Sequence, residues 1–256
     1  MLARAHNSPV NPRLRAIASG VGLGVLGIGL GFGLVLVVGL SLALAGVEIG
    51  PLLSIGLSLI LVQGIALMGV GYAYLRRQGI PLRSVGLRFP SLRELGVAAG
   101  AFVVSIIYLV VVSIVIQSLG AQTAENNVVS LGRQNPEILL LLIPGSYIFI
   151  GPGEELLFRG VIQTRIRDVF PPVSGVIIAS IIFAGIHLPA LSFGAPLSAK
   201  LTTLAVLMGP SLLLGASYEY TDNLVVPILI HGSYNALLFL GLYVQLTAGS
   251  SAAALL

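Results

Sequence analysis

Residues 16–47 read AIASGVGLGVLGIGLGFGLVLVVGLSLALAGV, without a single charged side chain. A helix crossing the hydrocarbon core of a bilayer needs about 20 apolar residues, so this stretch suffices by itself. Ala43-Leu44-Ala45 resembles a leader cleavage site, but the apolar run far exceeds the roughly 7–15 residues of a leader's hydrophobic core. It is read as a retained first span. Six further runs of the same character follow: Leu52–Leu75, Leu95–Leu119, Glu137–Asp168 with an expected break, Val173–Ala190, Leu201–Tyr218 and Leu224–Leu246. None shows the alternation of barrel strands, and backbone facing lipid must satisfy itself within a helix or a closed barrel. The expected fold is therefore all-α, a polytopic transmembrane bundle of about seven spans.

The rest of the composition agrees. The chain has 256 residues, 56% of them hydrophobic and 9% charged, with a mean hydropathy of +1.04; soluble domains carry about 25% charged residues. Residues 1–15 are expected to form a cytoplasmic N-terminal tail, 16–247 one transmembrane domain and 248–256 a C-terminal tail. There is no cysteine, which removes disulfides, Cys-ligated metals and a thiol nucleophile. With the N-terminus inside, 11 of the 13 basic residues lie on the inner side and only Arg133 and Lys200 outside. Such asymmetry is the mark of a multi-pass protein of the cell membrane with its N-terminus cytoplasmic. The same distribution accounts for the net charge of +4 without invoking nucleic acid. The nominal G-x-G-x-x-G at Gly22, Gly24 and Gly27 lacks the strand–turn–helix context of a dinucleotide site. Gly20/Gly24 and Gly27/Gly31 are read instead as small-residue pairs that let helices approach.

Ionisable residues inside the membrane are costly and point to function. Most acidic residues fall at span ends or in loops, and His6 falls in the N-terminal tail. Glu154 and Glu155 lie within the fourth span, His187 within the fifth and His231 within the seventh. Glu155 and Arg159 are spaced i,i+4, as are Phe183 and His187, and His231 and Asn235, so each pair shares a helix face. Gly151-Pro152-Gly153 is expected to break or kink the helix beside Glu154. The turn at Asp168–Pro172 lies midway between Glu154 and His187, so an antiparallel hairpin sets them at one depth, roughly 25 Å from the turn. His231 reaches a similar level. Gln163 and Tyr234 are read as interhelical bonding and packing, and Phe183 as packing at the wall of the site.

The set E-E-x-x-x-R (Glu154, Glu155, Arg159), F-x-x-x-H (Phe183, His187) and H-x-x-x-N (His231, Asn235) resembles that of the CPBP family. That family comprises the type II CAAX prenyl proteases and the related bacteriocin-processing and immunity (Abi-like) proteins. The resemblance covers roughly Gly151–Leu240 and implies an intramembrane peptidase with its catalytic core in 137–240. Carried over, it implies Glu154 as the base that activates water, with His187 assisting. His231 and Asn235 would polarise the scissile carbonyl and hold the oxyanion, while Glu155 and Arg159 would orient the site. The implied partner is a membrane-associated protein or peptide, prenylated or not, within the lipid bilayer. Two histidines, a glutamate and water match a common catalytic zinc set and equally serve a metal-free, glutamate-activated water; both chemistries stay open at the level of sequence. A proton-coupled transporter is the rival from another class, expected to string its polar groups across the bilayer. A non-proteolytic immunity or scaffold protein of the same family carries the same motifs. H-E-x-x-H, G-x-S-x-G and a pair of intramembrane aspartates are all absent.

Overall fold

The computed structural model describes residues 11–253, with side chains through Ala248. Seven helices are long and apolar enough to cross a membrane, and no strand occurs among the described residues. They are α1 (Pro12–Leu44), α2 (Pro51–Arg77), α3 (Leu92–Ser118), α5 (Glu137–Arg167), a fifth span Pro172–Ala190 whose α-helical part is α6 (Pro172–Gly185), α7 (Leu197–Thr221) and α8 (Val225–Ala253), with a short α4 (Asn127–Gln134) between α3 and α5. Helical structure extends into both stretches that sequence assigned to tails. Helix α1 begins at Pro12, because the Asn11 side chain accepts from the Arg13 backbone N–H and proline suits a first helical turn. At the other end α8 runs on to Ala253. The remaining expected tail residues, 1–10 with Arg4 and His6, and 254–256, lie outside the described residues.

Helix α1 buries one face only, formed by Ala16, Gly20, Gly24, Gly27 and Gly31. A Cβ on Gly31 would press on the backbone and side chain of Val62 in α2, and one on Gly24 would meet Ile186 and Phe158. Gly22, Gly29 and Gly33 have open space beside them. The glycine pairs thus seat α1 against α2, α5 and the end of α6. There Leu67, Val70, Leu157, Phe158, Ile162, Ile166, Ala179, Ile182 and Phe183 form one buried apolar cluster.

One expectation about local backbone is corrected and one refined. Gly151-Pro152-Gly153 does not break α5; the chain stays helical through it. A proline ring collides with the carbonyl four residues earlier, here that of Ile148, which lies in a wider π-helical turn, Ser146–Ile150. A second π-helical stretch, Leu156–Gln163, follows the glutamates. His187 lies within the fifth span, Pro172–Ala190, as expected, but past its α-helical part, since α6 ends at Gly185 and His187 sits in the turn beyond.

At one end of the bundle the basic residues gather. Arg165 bonds to Ser19 and to Tyr74, Arg167 pairs with Glu219 at 2.8 Å, and Arg88 reaches both Glu94 and the Thr221 carbonyl. The α2–α3 loop is fastened to the α7–α8 turn, where the Leu224 N–H donates to the Gly86 carbonyl at 3.0 Å. Gly86 has φ +72°, and a Cβ there would collide with the Asp222 carbonyl, so only glycine fits.

Candidate active site

Glu155 and Arg159 face each other one turn apart on α5, both essentially inaccessible, at 0% and 1% exposure. Their closest atoms, Oε2 and Nε, are 3.2 Å apart. A buried ion pair recovers its desolvation cost only when its remaining groups are also partnered. Three other helices supply partners here, although Arg159 Nη1 stays buried without one. Arg159 Nη2 donates to the Ser211 carbonyl at 3.1 Å and to its Oγ at 3.0 Å, from α7. The guanidinium also lies 4.5 Å over the Phe183 ring of α6, a cation–π contact. On its other oxygen, Glu155 accepts from His231 Nδ1 of α8 at 2.8 Å.

Glu154 stands beside this pair with different neighbours. Its Oε1 accepts from Gln63 Nε2 of α2 at 2.9 Å. Its Oε2 is buried with no hydrogen-bond partner and faces His187 Nε2 at 3.8 Å and His231 Nε2 at 3.9 Å. The orientation of His187 follows from the end of α6. Helix termini leave carbonyls without partners, and the Phe183 carbonyl is met by His187 Nδ1 at 2.7 Å. A carbonyl only accepts, so Nδ1 carries a proton and Nε2 is turned to Glu154. His231 is held in the same sense by the Glu155 carboxylate. In neutral imidazoles the two Nε2 atoms are then acceptors that both lie within 4 Å of the acceptor Oε2 of Glu154, which calls for a hydrogen donor among them. With both carboxylates ionised, Glu154, Glu155 and Arg159 sum to one negative charge. A single added proton makes the group neutral.

Six of the seven residues singled out from the sequence therefore meet around one centre: Glu154, Glu155, Arg159, Phe183, His187 and His231. Asn235, a turn beyond His231, is half-buried and makes no hydrogen bond among the described residues. Gln163 bonds across to the Gly215 carbonyl of α7 at 3.0 Å, the interhelical role expected of it. Two participants were missed, Gln63 and Ser211. Gln63 is the lone amide in the second apolar run, a detectable oddity, but one polar residue in a span does not name its partner.

The donor set, two imidazole nitrogens anchored through Nδ1 and one carboxylate oxygen, is of a kind that zinc accepts. Tetrahedral zinc with bonds of about 2.0–2.1 Å brings its ligand atoms to about 3.3–3.4 Å from one another. The separations of 3.8 and 3.9 Å are wider. Among the described residues no group of three His, Cys, Asp or Glu side chains is gathered as a metal site. The three atoms as placed suit a shared water or proton better than a metal.

Residues 136–237 match the family described as "Type II CAAX prenyl endopeptidase Rce1-like". An uncharacterized protein, YpbD of Bacillus subtilis (strain 168), is 37% identical over 99 residues, which are 39% of this chain and 42% of that protein. The chain thus covers less than half the length of this relative. No solved structure matches it.

Proposed function

We propose, from the match of residues 136–237 to the family described as "Type II CAAX prenyl endopeptidase Rce1-like", that the chain is an intramembrane endopeptidase. It hydrolyses a peptide bond of a membrane-associated protein or peptide with water activated by Glu154. The observation that carries this reading is the buried, unpartnered Oε2 of Glu154 set 3.8 and 3.9 Å from two imidazole Nε2 atoms. A water about 2.8 Å from each of two such atoms bridges a gap of that width. Glu154 takes its proton as the oxygen attacks the scissile carbonyl, general-base action that contributes typically about 10²–10⁴-fold.

His187, fixed by the Phe183 carbonyl, holds the attacking water from its other side and relays the proton towards the leaving amine. His231 donates to the developing oxyanion when its ring carries both protons, and Glu155 at Nδ1 provides the counter-charge for that form. Asn235, on the same face one turn away, supplies a second donor. One such donor is worth about 10²–10³-fold. Arg159, Ser211 and Phe183 keep Glu155, and through it His231, in place. The chain resides in the cell membrane with its arginine-rich end, and hence its N-terminus, in the cytoplasm. The clustering of Glu154, His187 and His231 at one level favours hydrolysis over a transport path strung through the bilayer.

The experiment is cleavage of farnesylated CAAX-tailed peptides, and of the same peptides without the lipid, by purified protein in liposomes. Glu154→Gln is expected to lower kcat by about 10²–10⁴-fold, and His187→Ala to abolish measurable turnover. Full activity in the Glu154 variant would overturn the assignment. Comparing the two peptide sets decides whether a prenyl group is required. Chelation with metal analysis on the same preparation is expected to leave turnover intact.

A further inference from the structure

A carboxylate serves as a general base only if one oxygen is held towards the reacting water, and a glutamate has three side-chain torsions with which to escape. His187 and His231 approach only Oε2 of Glu154. What fixes the other oxygen comes from α2, in the part of the chain that the family resemblance does not reach. Gln63 Nε2 donates to Glu154 Oε1 at 2.9 Å, and Gln63 Oε1 is buried without a partner. That places the amide one way round, since the reverse orientation would set two acceptor oxygens against each other.

The backbone around Gln63 is shaped for this contact. The Gln63 carbonyl lies so close to Gly153 that a Cβ there would collide with it. Val62, the preceding residue, packs against Gly31 of α1 with no room for a Cβ between them. Gln63 itself sits in a π-helical stretch, Ser58–Leu67, a rare conformation that recurs at functional sites. A glycine on either side and a widened turn between them thus bring an otherwise lone membrane amide onto the carboxylate.

We infer that Gln63 is a positioning residue of the peptidase site, its amide holding Oε1 of Glu154 so that Oε2 is presented to His187 and His231. The inference rests on the peptidase reading above. Its test is the kcat and KM of Gln63→Leu, alone and combined with Glu154→Gln, in the liposome assay, with the thermal midpoint of each protein. Leucine suits a membrane helix, so the fold is expected to be kept. Loss of the amide is expected to lower kcat by about 10–100-fold with KM nearly unchanged, the scale of misplacing a catalytic group. In the Glu154→Gln background the same change is expected to cost nothing further, because the group being positioned is gone. If leucine is not tolerated, Gln63→Met, which keeps the chain length and loses the amide, is read in the same way. Equal kcat losses in both backgrounds, or losses that follow a fall in thermal midpoint, would show general support of the fold and overturn the inference. A wild type that cuts, is disabled by Glu154→Gln and is indifferent to Gln63→Leu overturns this inference alone. A wild type that cuts no peptide overturns it together with the peptidase reading.

Discussion

Helices α3 and α5 are of similar length and both cross the membrane, yet they are opposites. Helix α3 is the most hydropathic of the seven spans and the least buried, with 6% of its most apolar stretch inside the protein. Helix α5 is the least hydropathic and the most buried, at 44%. In a water-soluble protein apolar residues mark the core. Here the most hydropathic helix is the one that faces lipid, while the least hydropathic one carries polar groups into an interior that they share with apolar side chains. Val103, Ile107, Val110 and Ile114 of α3 lie bare on the outside; Glu154, Glu155, Arg159 and Gln163 of α5 are buried alongside apolar neighbours such as Leu157, Phe158 and Ile162. The lesson is that departures from apolarity, rather than apolarity itself, locate the interior and its chemistry.

The comparison breaks most decisively at Glu154. Its replacement by Gln is expected to remove about 3–5 kcal/mol of transition-state stabilisation, the equivalent of the 10²–10⁴-fold effect above, read as kcat, with the thermal midpoint nearly unmoved. Val110→Ala on the bare face of α3 is expected to change neither. Next in size is Arg159→Leu, which strands Glu155 in the interior. Breaking one side of a buried pair costs about 3–5 kcal/mol, expected as a large drop in thermal midpoint in detergent and loss of turnover. If Arg159→Leu is as stable as wild type, the contrast between the two helices carries no energetic weight.

A smaller effect sharpens the contrast within α1. Gly31→Leu must displace Val62, including its backbone, and is expected to cost about 1–3 kcal/mol by overpacking. Gly29→Leu meets open space and is expected to be neutral; both are read as thermal midpoints. The smallest effect lies outside the membrane. Ser130 and Arg133 hold the Glu125 carboxyl below its ordinary range, the hydroxyl bond at 2.7 Å being the larger cause. A lowered folded value means that the contribution is present above the ordinary carboxyl pKa and is lost as pH falls through the folded one. Arg133→Gln is therefore expected to lower stability slightly near neutrality, by under about 1 kcal/mol for so exposed a pair. The difference from wild type should vanish in acid, as a midpoint-versus-pH series would show.

The seven spans were legible because membrane length and apolarity are one-dimensional properties, and the structure shifts their ends by only a few residues. The i,i+4 pairs were legible for a similar reason, since helix periodicity converts spacing into a shared face. Glu154 and His187 could even be placed at one depth from the turn between them. What spacing could not give was contact between elements distant in the chain. That Glu155 binds His231 as well as Arg159, that Ser211 holds Arg159, and that Gln63 reaches Glu154 all depend on how helices are rotated about their own axes. The continuity of α5 through Pro152 was missed because proline and glycine rules describe an α-helix, whereas here a π-turn moves the obstructing carbonyl aside.

Those π-turns carry a further consequence. A π-turn accommodates one more residue than an α-turn, and each residue of an α-helix advances about 100° around the axis. Deleting a single residue within Leu156–Gln163 could restore regular winding, but it would swing everything beyond it by more than a quarter turn relative to the glutamates. Arg165, now bonded to Ser19 and Tyr74, would then be aimed at another neighbour. The angular phase of α5 is set by that inserted residue, and shortening the helix by one would mistune both of its ends at once.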